Sequence, residues 1–255
     1  MSIKTVRVYR KEGICTLVLN RPEVMNAWNA ELVDELRRAF DRAAGDKKIK
    51  VVVMEGADGN FSSGADMALL DTGGAPPARL KMMRELGRFI RTMRQMPQPI
   101  IAKVRGVAVG AGANLALASD FVLAADEARF CQVFVNIGLI LDAGGTYFLP
   151  RLVGLARARE LALLGEMIEA RRAAEIGLIY RSVADKDLDR ETENLAQKLA
   201  QKSPLAMALI KEGLEMSLDM DLEKMLEWEA AHQSIMLQTE EHQEAVLRFK
   251  ARRKK

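Results

Sequence analysis

The sequence has 255 residues, of which 49% are hydrophobic and 29% charged, so an intrinsically disordered chain is excluded and a buried core is expected. The net charge of +3, from 38 Lys and Arg against 35 Asp and Glu, argues against nucleic acid or an anionic membrane as partner. With only Cys15, Cys131, His232 and His242 available, disulfide frameworks, metal sites and histidine-based nucleophile systems are disfavoured.

No targeting or membrane-spanning segment is predicted. Residues 1–11 are charged and have no apolar centre, and the longest uncharged stretch, residues 106–119, is too short for the roughly 20 apolar residues of a membrane span. We therefore expect a cytoplasmic protein without a membrane partner, in which carboxylates carry any proton chemistry.

The first part of the chain alternates strands and helices. Two strands are predicted around Val6 to Val8 and over Ile14 to Leu19, with a turn at residues 11–13. A helix from about Asn29 to Ala43 and a buried strand from Ile49 to Met54 follow.

The same alternation continues to residue 125. An amphipathic helix is expected from about Arg79 to Met96, then a strand from Ile100 to Val109 that is interrupted at Arg105-Gly106. A glycine turn at residues 110–112 leads into a helix at 113–118, and another strand follows at 121–125. This pattern predicts an α/β fold with a largely parallel sheet.

Beyond Pro150 the sequence becomes mainly helical. Helices are predicted at 157–164 and 170–176, and a strand at 178–183. Ser203-Pro204 is typical of a helix start, and Asp219 and Thr239 are plausible further caps. We divide the chain into a core of residues 1–199 and a helical region of residues 200–255, which packs on the core or on a neighbouring subunit.

Three glycine-bearing segments follow or flank predicted strands, at residues 61–67, 109–114 and 138–146. Small residues at such turns allow a ligand to approach backbone N–H donors, although each could equally be an ordinary strand-to-helix turn. The turn at Gly110-Ala111-Gly112 directs the N-terminus of a helix at one point, where an oxyanion would be stabilised. The sequence contains neither a Rossmann fingerprint nor a P-loop.

Ordered motifs along nearly the whole chain resemble the crotonase family, the enoyl-CoA hydratase/isomerase superfamily. They include Asn20-Arg21-Pro22-Glu23, Met25-Asn26-Ala27, Phe61 to Met67 and Gly106 to Asp120, and further segments at 130–132, 137–139, 142–146, 149–154, 173–178 and 239–242. The resemblance implies a crotonase-like α/β spiral of repeated ββα units with a C-terminal helical trimerisation region. It also implies a homotrimer or a dimer of trimers.

The resemblance implies an acyl-CoA thioester as substrate, which carries coenzyme A itself, so no separate cofactor is expected. Its carbonyl oxygen would accept hydrogen bonds from the backbone N–H groups of Ala65 and Ala111. Residues matching the coenzyme A contacts of the family are Val24, Met25, Ala27, Ser63, Asp66 and Met67. Phe134, Leu139 and Tyr147 are expected to line the acyl pocket.

Two positions depart from the hydratases of the family. Where hydratases have their two catalytic glutamates, this chain has Asn114 and Phe134. Neither side chain transfers a proton at neutral pH. The paired-glutamate addition of water is therefore disfavoured.

Asp142 is the remaining candidate for proton transfer. From the residues alone, it could be a catalytic carboxylate or the cap of a helix that begins at residues 143–145. The family resemblance favours catalysis, because dienoyl-CoA isomerases, epoxyphenylacetyl-CoA isomerases and 4-chlorobenzoyl-CoA dehalogenases have a catalytic Asp here. The sequence is most similar to the epoxyphenylacetyl-CoA isomerase subgroup, whose members also pair this Asp with an Asn.

One carboxylate is sufficient for a 1,3-proton shift beside a thioester. An apolar surround of Phe134, Leu139, Ile140 and Leu141 would raise the pKa of Asp142. Asn114 would orient a water molecule or Asp142, or else satisfy buried backbone. We therefore expect an acyl-CoA isomerase that moves a double bond or opens an epoxide.

Two alternatives from different mechanistic classes stay open. Asp142 could act as the nucleophile of an aryl-CoA dehalogenase or hydrolase, although the histidine and tryptophan that complete that site in dehalogenases have no counterpart here. The fold could also serve as a non-catalytic scaffold that binds coenzyme A or RNA.

Overall fold

The computed structural model describes residues 4–66 and 76–252. Contacts divide the chain into two compact units, Met1–Ala200 and Gln201–Lys255. Among the described residues, no helix combines the length and the apolar character needed to cross a bilayer.

Nine strands and six helices are described in the first unit. The strands are β1 (Val6–Lys11), β2 (Ile14–Leu19), β3 (Val51–Gly56), β4 (Ile100–Val104), β5 (Val107–Val109), β6 (Phe121–Ala125), β7 (Arg129–Cys131), β8 (Met167–Glu169) and β9 (Arg181–Val183). The helices are α1 (Ala30–Gly45), α2 (Pro76–Gln95), α3 (Ala111–Leu117), α4 (Gly145–Leu164), α5 (Ala170–Glu175) and α6 (Asp185–Ala200).

Six strands form the main sheet in the order β1-β2-β3-β4-β6-β9. Only β1 and β2 pair antiparallel, and the other four pairs are parallel, as the alternation of strands and helices predicts. The central strands are buried on both faces, which explains their continuous apolar sequences, for example Val51 to Met54 in β3. The Phe40 ring of α1 packs against the Phe89 ring of α2 at a centroid distance of 5.8 Å.

The expected strand from Ile100 to Val109 is two strands in two different sheets. Residues Ile100–Val104 belong to the main sheet, whereas Val107–Val109 join β7 and β8 in a three-stranded sheet. The chain bends at Gly106, whose φ is +57°, and a Cβ at this position would lie 2.3 Å from the backbone oxygen of Gly59. Only glycine fits a left-handed conformation at such a close approach.

Two other boundaries differ from the sequence predictions. Helix α4 begins at Gly145 rather than at residue 157, and its helical geometry is interrupted at Gly154, with φ 74° and ψ 161°. Strand β9 covers only Arg181–Val183, because Leu178 and Ile179 form a turn that donates to the carbonyl of Ala173.

The second unit consists of α7 (Pro204–Met216), α8 (Leu222–Met236) and α9 (Glu240–Arg252). The Ser203 and Thr239 caps are confirmed, since their hydroxyl oxygens accept from the N–H groups of Ala206 and His242. The Asp219 cap is wrong. Asp221 caps α8 instead, with its carboxylate 2.9 Å from the Lys224 nitrogen, because the turn that follows α7 includes Asp219.

Candidate active site

The first backbone donor is the N–H of Ala65. Its segment pairs with Trp28, whose N–H donates to the Gly64 oxygen (2.7 Å) and whose oxygen accepts from the Asp66 N–H (2.9 Å). Because successive residues of an extended chain direct their N–H groups to opposite sides, the Ala65 N–H is directed away from Trp28. It is therefore available to a ligand.

The second backbone donor is the N–H of Ala111, the first residue of α3. The first N–H groups of a helix have no acceptor within the helix, and they carry its positive dipole end. The preceding Gly110 is held by its own N–H, which donates to the Cys131 oxygen at 2.8 Å. The orientation of the helix start is therefore fixed from outside the helix.

The two donor segments lie against each other. Ser62 and Ala108 form a parallel bridge, with hydrogen bonds of 2.9 and 3.0 Å on its two sides. A Cβ placed at Gly64, which has a φ of +95°, would lie 2.7 Å from the Val109 oxygen and 3.7 Å from the Ala111 nitrogen. Glycine at this position therefore allows the close approach that brings both donors to one cavity.

Asp142 lines the same cavity as Ala65 and Ala111. Its Oδ1 atom is buried and has no hydrogen-bond partner within residues 4–66 and 76–252. Burial raises the pKa of the Asp142 carboxyl from 3.8 to about 6, although a hydrogen bond with its own backbone acts in the opposite direction. The site thus holds a desolvated carboxyl group that titrates just below neutrality.

The structure does not support the alternative that Asp142 caps a helix. The cap residue of α4 is Gly144, and no side chain accepts from the first turn. Only the backbone oxygen of Asp142 contacts the helix, by accepting from the Gly145 N–H at 2.8 Å. The next residue, Ala143, has a φ of +46°, a strained conformation for a residue with a Cβ.

Asn114 acts on the backbone of Asp142 rather than on its carboxylate. The Nδ2 atom donates to the Asp142 backbone oxygen at 2.9 Å, and the Oδ1 atom accepts from Gln132 Nε2 at 2.9 Å. Both amide side chains are buried. A Cβ at Gly145 would lie 2.4 Å from Asn114 Nδ2, so the glycine permits this contact. No role was predicted for Gln132, which the sequence marks only as the last residue of the family-like segment 130–132.

The cavity has a volume of about 600 Å³ and extends between α1 and α2, whose facing side chains form its walls. Phe134, Leu139 and Tyr147 are not among the described residues that line it. Phe134 is buried beneath Gly110, and the Tyr147 ring lies under the Arg151 guanidinium, 3.6 Å away. Leu139 and Ile140 are 46% and 86% exposed, so the expectation that they desolvate Asp142 is corrected.

The residues expected to contact coenzyme A lie close to the donor segment. Ser63 donates to the oxygen of Met25 through its N–H (2.9 Å) and to that of Val24 through its hydroxyl (3.1 Å). Val24 and Met25 are exposed, whereas Ala27 is buried. Asp66 forms an ion pair with Arg21 at 3.0 Å. Met67 lies outside the described residues.

Within the described ranges 4–66 and 76–252, no three His, Cys, Asp or Glu side chains are arranged to hold a metal ion.

Comparison with known proteins agrees with this geometry. The family model of enoyl-CoA hydratase/isomerase matches residues 9–255. The chain belongs to this family. It is therefore an enzyme of a family that acts on acyl-CoA thioesters.

Individual relatives include both hydratases and isomerases by name. A Rhodobacter capsulatus protein named "Probable enoyl-CoA hydratase" is 40% identical over 255 residues, covering 99% of this chain and 97% of its own. The Escherichia coli 1,2-epoxyphenylacetyl-CoA isomerase is 36% identical over 246 residues, covering 95% and 94%. The crystal structure of an enoyl-CoA hydratase from Bacillus anthracis superposes with a TM-score of 0.92 at 30% identity, covering 97% and 96%. The expected crotonase-like α/β fold is confirmed.

Proposed function

We propose that this protein is an acyl-CoA isomerase that shifts a carbon–carbon double bond beside the thioester, with Asp142 as its only acid and base. The observation that carries the proposal is the buried Oδ1 of Asp142, which has no partner, in the cavity that Ala65 and Ala111 also line. Coenzyme A is part of the substrate, so the reaction needs no separate cofactor.

The reaction begins with a 3-enoyl thioester whose carbonyl oxygen accepts from the N–H groups of Ala65 and Ala111. The Asp142 carboxylate removes a proton from the carbon between the carbonyl group and the double bond. The electrons of that C–H bond form a dienolate, whose oxygen carries the negative charge. The protonated Asp142 then returns the proton to the γ carbon, which gives the 2-enoyl thioester and regenerates the carboxylate.

The pKa of Asp142 suits both half-reactions. With a pKa of about 6, roughly nine-tenths of the group is ionised at pH 7 and can act as the base. The raised pKa also makes the carboxylate a stronger base than an exposed aspartate. Each backbone donor to the dienolate oxygen is worth on the order of 3 kcal/mol of transition-state stabilisation, as in other oxyanion holes.

The arrangement of carboxylates disfavours hydration by a pair of acidic groups. The other acidic residues that line the cavity are Asp34, Asp41 and Glu85, all on α1 or α2. Asp34 and Asp41 are engaged by Arg37 and are largely exposed. Asp142 and the two backbone donors could also open an epoxide beside the thioester. The similarity to the Escherichia coli 1,2-epoxyphenylacetyl-CoA isomerase supports this form of the reaction.

The proposal is tested by turnover of 3-enoyl-CoA in deuterium oxide, followed by NMR of the α and γ carbons. We expect 2-enoyl-CoA with hydrogen at the γ carbon derived from solvent or from the α carbon. Asp142→Asn should abolish this transfer, and Asp189→Asn, in an exposed ion pair outside the cavity, should not. Accumulation of 3-hydroxyacyl-CoA would instead identify a hydratase. In ¹⁸O-labelled water, release of free coenzyme A together with ¹⁸O in the Asp142 carboxylate would show instead that Asp142 acts as a nucleophile.

We also propose that the chain assembles as a homotrimer or a dimer of trimers through its helical unit. That unit exposes large apolar side chains, among them Leu214, Leu222 and Leu226. Exposed apolar surface of this kind is typical of interfaces between subunits. Light scattering should give three or six times the chain mass of 28.3 kDa, and a monomer would contradict the assignment.

A further inference from the structure

Two buried amide side chains connect the backbone of Asp142 to a neighbouring part of the core. Asn114 Nδ2 donates to the Asp142 backbone oxygen at 2.9 Å, and Gln132 Nε2 donates to Asn114 Oδ1, also at 2.9 Å. The residue that follows Asp142 is Ala143, whose φ of +46° is unfavourable for a side chain with a Cβ. A backbone of this kind persists only where neighbouring groups hold it.

The direction of these two hydrogen bonds is fixed from the Asp142 end. A backbone carbonyl oxygen only accepts, so the Asn114 amide presents Nδ2 to Asp142 and therefore presents its oxygen to Gln132. The side chain at position 132 must then be a donor. Without a donor there, Asn114 Oδ1 is left buried and unpaired, or the amide turns over and releases the Asp142 oxygen.

The Nε2 donor is what the glutamine side chain supplies. Gln132 is buried, and its Oε1 has no hydrogen-bond partner within residues 4–66 and 76–252. Its side chain does not cap the 3-10 turn Val133–Ile137 that follows it. A buried oxygen without a partner is unfavourable, and an apolar side chain of similar size would avoid that cost. The hydrogen bond to Asn114 is therefore the contribution of this side chain.

The residue before Gln132 holds the start of the helix that carries the second backbone donor. The Cys131 oxygen accepts from the Gly110 N–H at 2.8 Å, and α3 begins with the next residue, Ala111. Asn114 lies one turn further along the same helix. Two consecutive residues thus hold the first turn of α3, one through its start and the other through the amide of Asn114.

We propose that Gln132 is a positioning residue, which sets the place of the Asp142 carboxylate relative to the Ala111 N–H by orienting the Asn114 amide. This inference rests on the proposed function, in which the carboxylate and the backbone donor act on one substrate. The α carbon and the carbonyl oxygen of a thioester are a fixed distance apart, so both protein groups must keep their separation. A misplacement of about 1 Å can lower the rate about 100-fold.

Two substitutions of Gln132 test the proposal through the kinetics of double-bond transfer. Gln132→Leu removes the donor at nearly constant size and should lower kcat at least about tenfold, with KM within about threefold of the wild type. Gln132→Glu donates to Asn114 while its carboxyl is protonated and not when it is ionised. At pH 5 its kcat should be within about threefold of the wild type at the same pH, and this ratio should decrease as the pH rises to 8.

The surroundings of position 132 favour a protonated carboxyl at pH 5. Burial raises its pKa, and the negative charge of Glu166, which lines a small cavity with Gln132 and Cys131, acts in the same direction. The Cys131 thiol stays neutral over this pH range, because burial raises its pKa as well. At pH 5, a loss of kcat in Gln132→Glu as large as that in Gln132→Leu would overturn the proposal.

Gln98→Glu is the matched control. Gln98 is also buried, and its Nε2 donates to the backbone oxygens of Ala43 (3.1 Å) and Ile49 (3.3 Å), outside the cavity of Asp142. Its kcat should stay within about twofold of the wild type at each pH, in protein shown to be folded by circular dichroism. A decrease with pH equal to that of Gln132→Glu would show a general effect of a buried charge and overturn the positioning role.

The titration of Asp142 reports the same contact without turnover. It is followed by ¹³C NMR of the carboxyl carbon, assigned by its absence from Asp142→Asn. In Gln132→Leu the backbone of Asp142 loses support, so its carboxyl should become more hydrated and its pKa should fall from about 6 towards 3.8. This fall, in a protein whose wild type does not isomerise 3-enoyl-CoA, would refute the reaction and retain the role of Gln132. Isomerisation by the wild type, with kcat and pKa unchanged in Gln132→Leu, would do the reverse.

Discussion

Replacement of Asp142 by asparagine should inactivate the protein and stabilise it. Burial raises the pKa of this carboxyl from 3.8 to about 6, so the folded state holds the proton more tightly than the unfolded state. The contribution of Asp142 to the free energy of unfolding therefore decreases as the pH rises from about 4 to 6 and is constant above that range. A shift of about two units, at about 1.36 kcal/mol each, gives a loss of about 3 kcal/mol.

The neutral amide of Asp142→Asn has no such titration. Urea unfolding at several pH values between 4 and 8 should show that the stability of the variant relative to the wild type rises by about 3 kcal/mol from pH 4 to pH 7. The cost of burying the new amide shifts this difference equally at every pH. The rate of double-bond transfer by the variant should fall by about 10²- to 10⁴-fold, the range of general acid–base catalysis.

Asp189→Asn provides a control, because the stabilising effect of Asp189 has the opposite dependence on pH. Hydrogen bonds from Arg105 and Lys103 lower the pKa of Asp189 to about 2, so its stabilising effect is present above pH 4 and is lost as the pH falls towards 2. Because its side chain is 67% exposed, the loss at pH 7 should be only about 0.2 to 1 kcal/mol. A stability difference at Asp142 that is independent of pH, or full activity of Asp142→Asn, would refute the reasoning.

Three further predictions concern the backbone around the site. Asn114→Leu leaves the Gln132 amide nitrogen without its partner and removes one of the two hydrogen bonds to the Asp142 carbonyl, so it should cost about 1 to 3 kcal/mol in urea unfolding and lower kcat more than KM changes. Unchanged stability would contradict this role. Ala143→Gly removes the strain of a φ of +46°, so we expect a gain of about 1 kcal/mol in the same assay, and a loss would show that the conformation is unstrained. Gly64→Ala should reduce kcat/KM at least about 100-fold by separating the two donors, and activity near that of the wild type would argue against the close approach.

The sequence was sufficient to predict features that depend on residues near one another along the chain. Alternation and periodicity located the strands of the main sheet, β5 and most helices, whereas β7, β8 and α6 were not predicted. The glycine turns indicated the segments of Ala65, Ala111 and Asp142. The interruption at Arg105-Gly106 was visible, but the accompanying change of sheet involves a close approach of Gly106 to residues 59–60 that no local pattern reveals. Periodicity placed the helix only from residue 157, because Pro150 and Gly154 obscure the pattern of α4. Its start near residue 145 was considered only as the alternative in which Asp142 is a helix cap.

The walls of the cavity could not be predicted either, because they bring together residues that are distant along the chain. Val33 and Leu86 face one cavity only because two helices distant in sequence pack together, whereas Leu139 and Ile140 were chosen as neighbours of Asp142 along the chain. The desolvation of Asp142 was predicted, but two of the four residues to which it was attributed, Leu139 and Ile140, are exposed. The role of Gln132 could not be predicted either, because it depends on a hydrogen bond to Asn114, which lies 18 residues away along the chain.

Three unfavourable local features lie where the proposed chemistry takes place. Asp142 is desolvated without a partner for Oδ1, Ala143 has a left-handed backbone, and the N–H of Ala111 has no acceptor within its helix. Such features persist only where neighbouring structure holds them, here through the amide of Asn114 and the paired backbone at Gly64. In the proposed reaction, the α carbon of the substrate gives its proton to Asp142, and the oxygen of the resulting dienolate accepts from the two free backbone donors. The negative charge thus moves from the carboxylate to an oxygen that these donors stabilise, which is the difference in binding between ground state and transition state that catalysis requires.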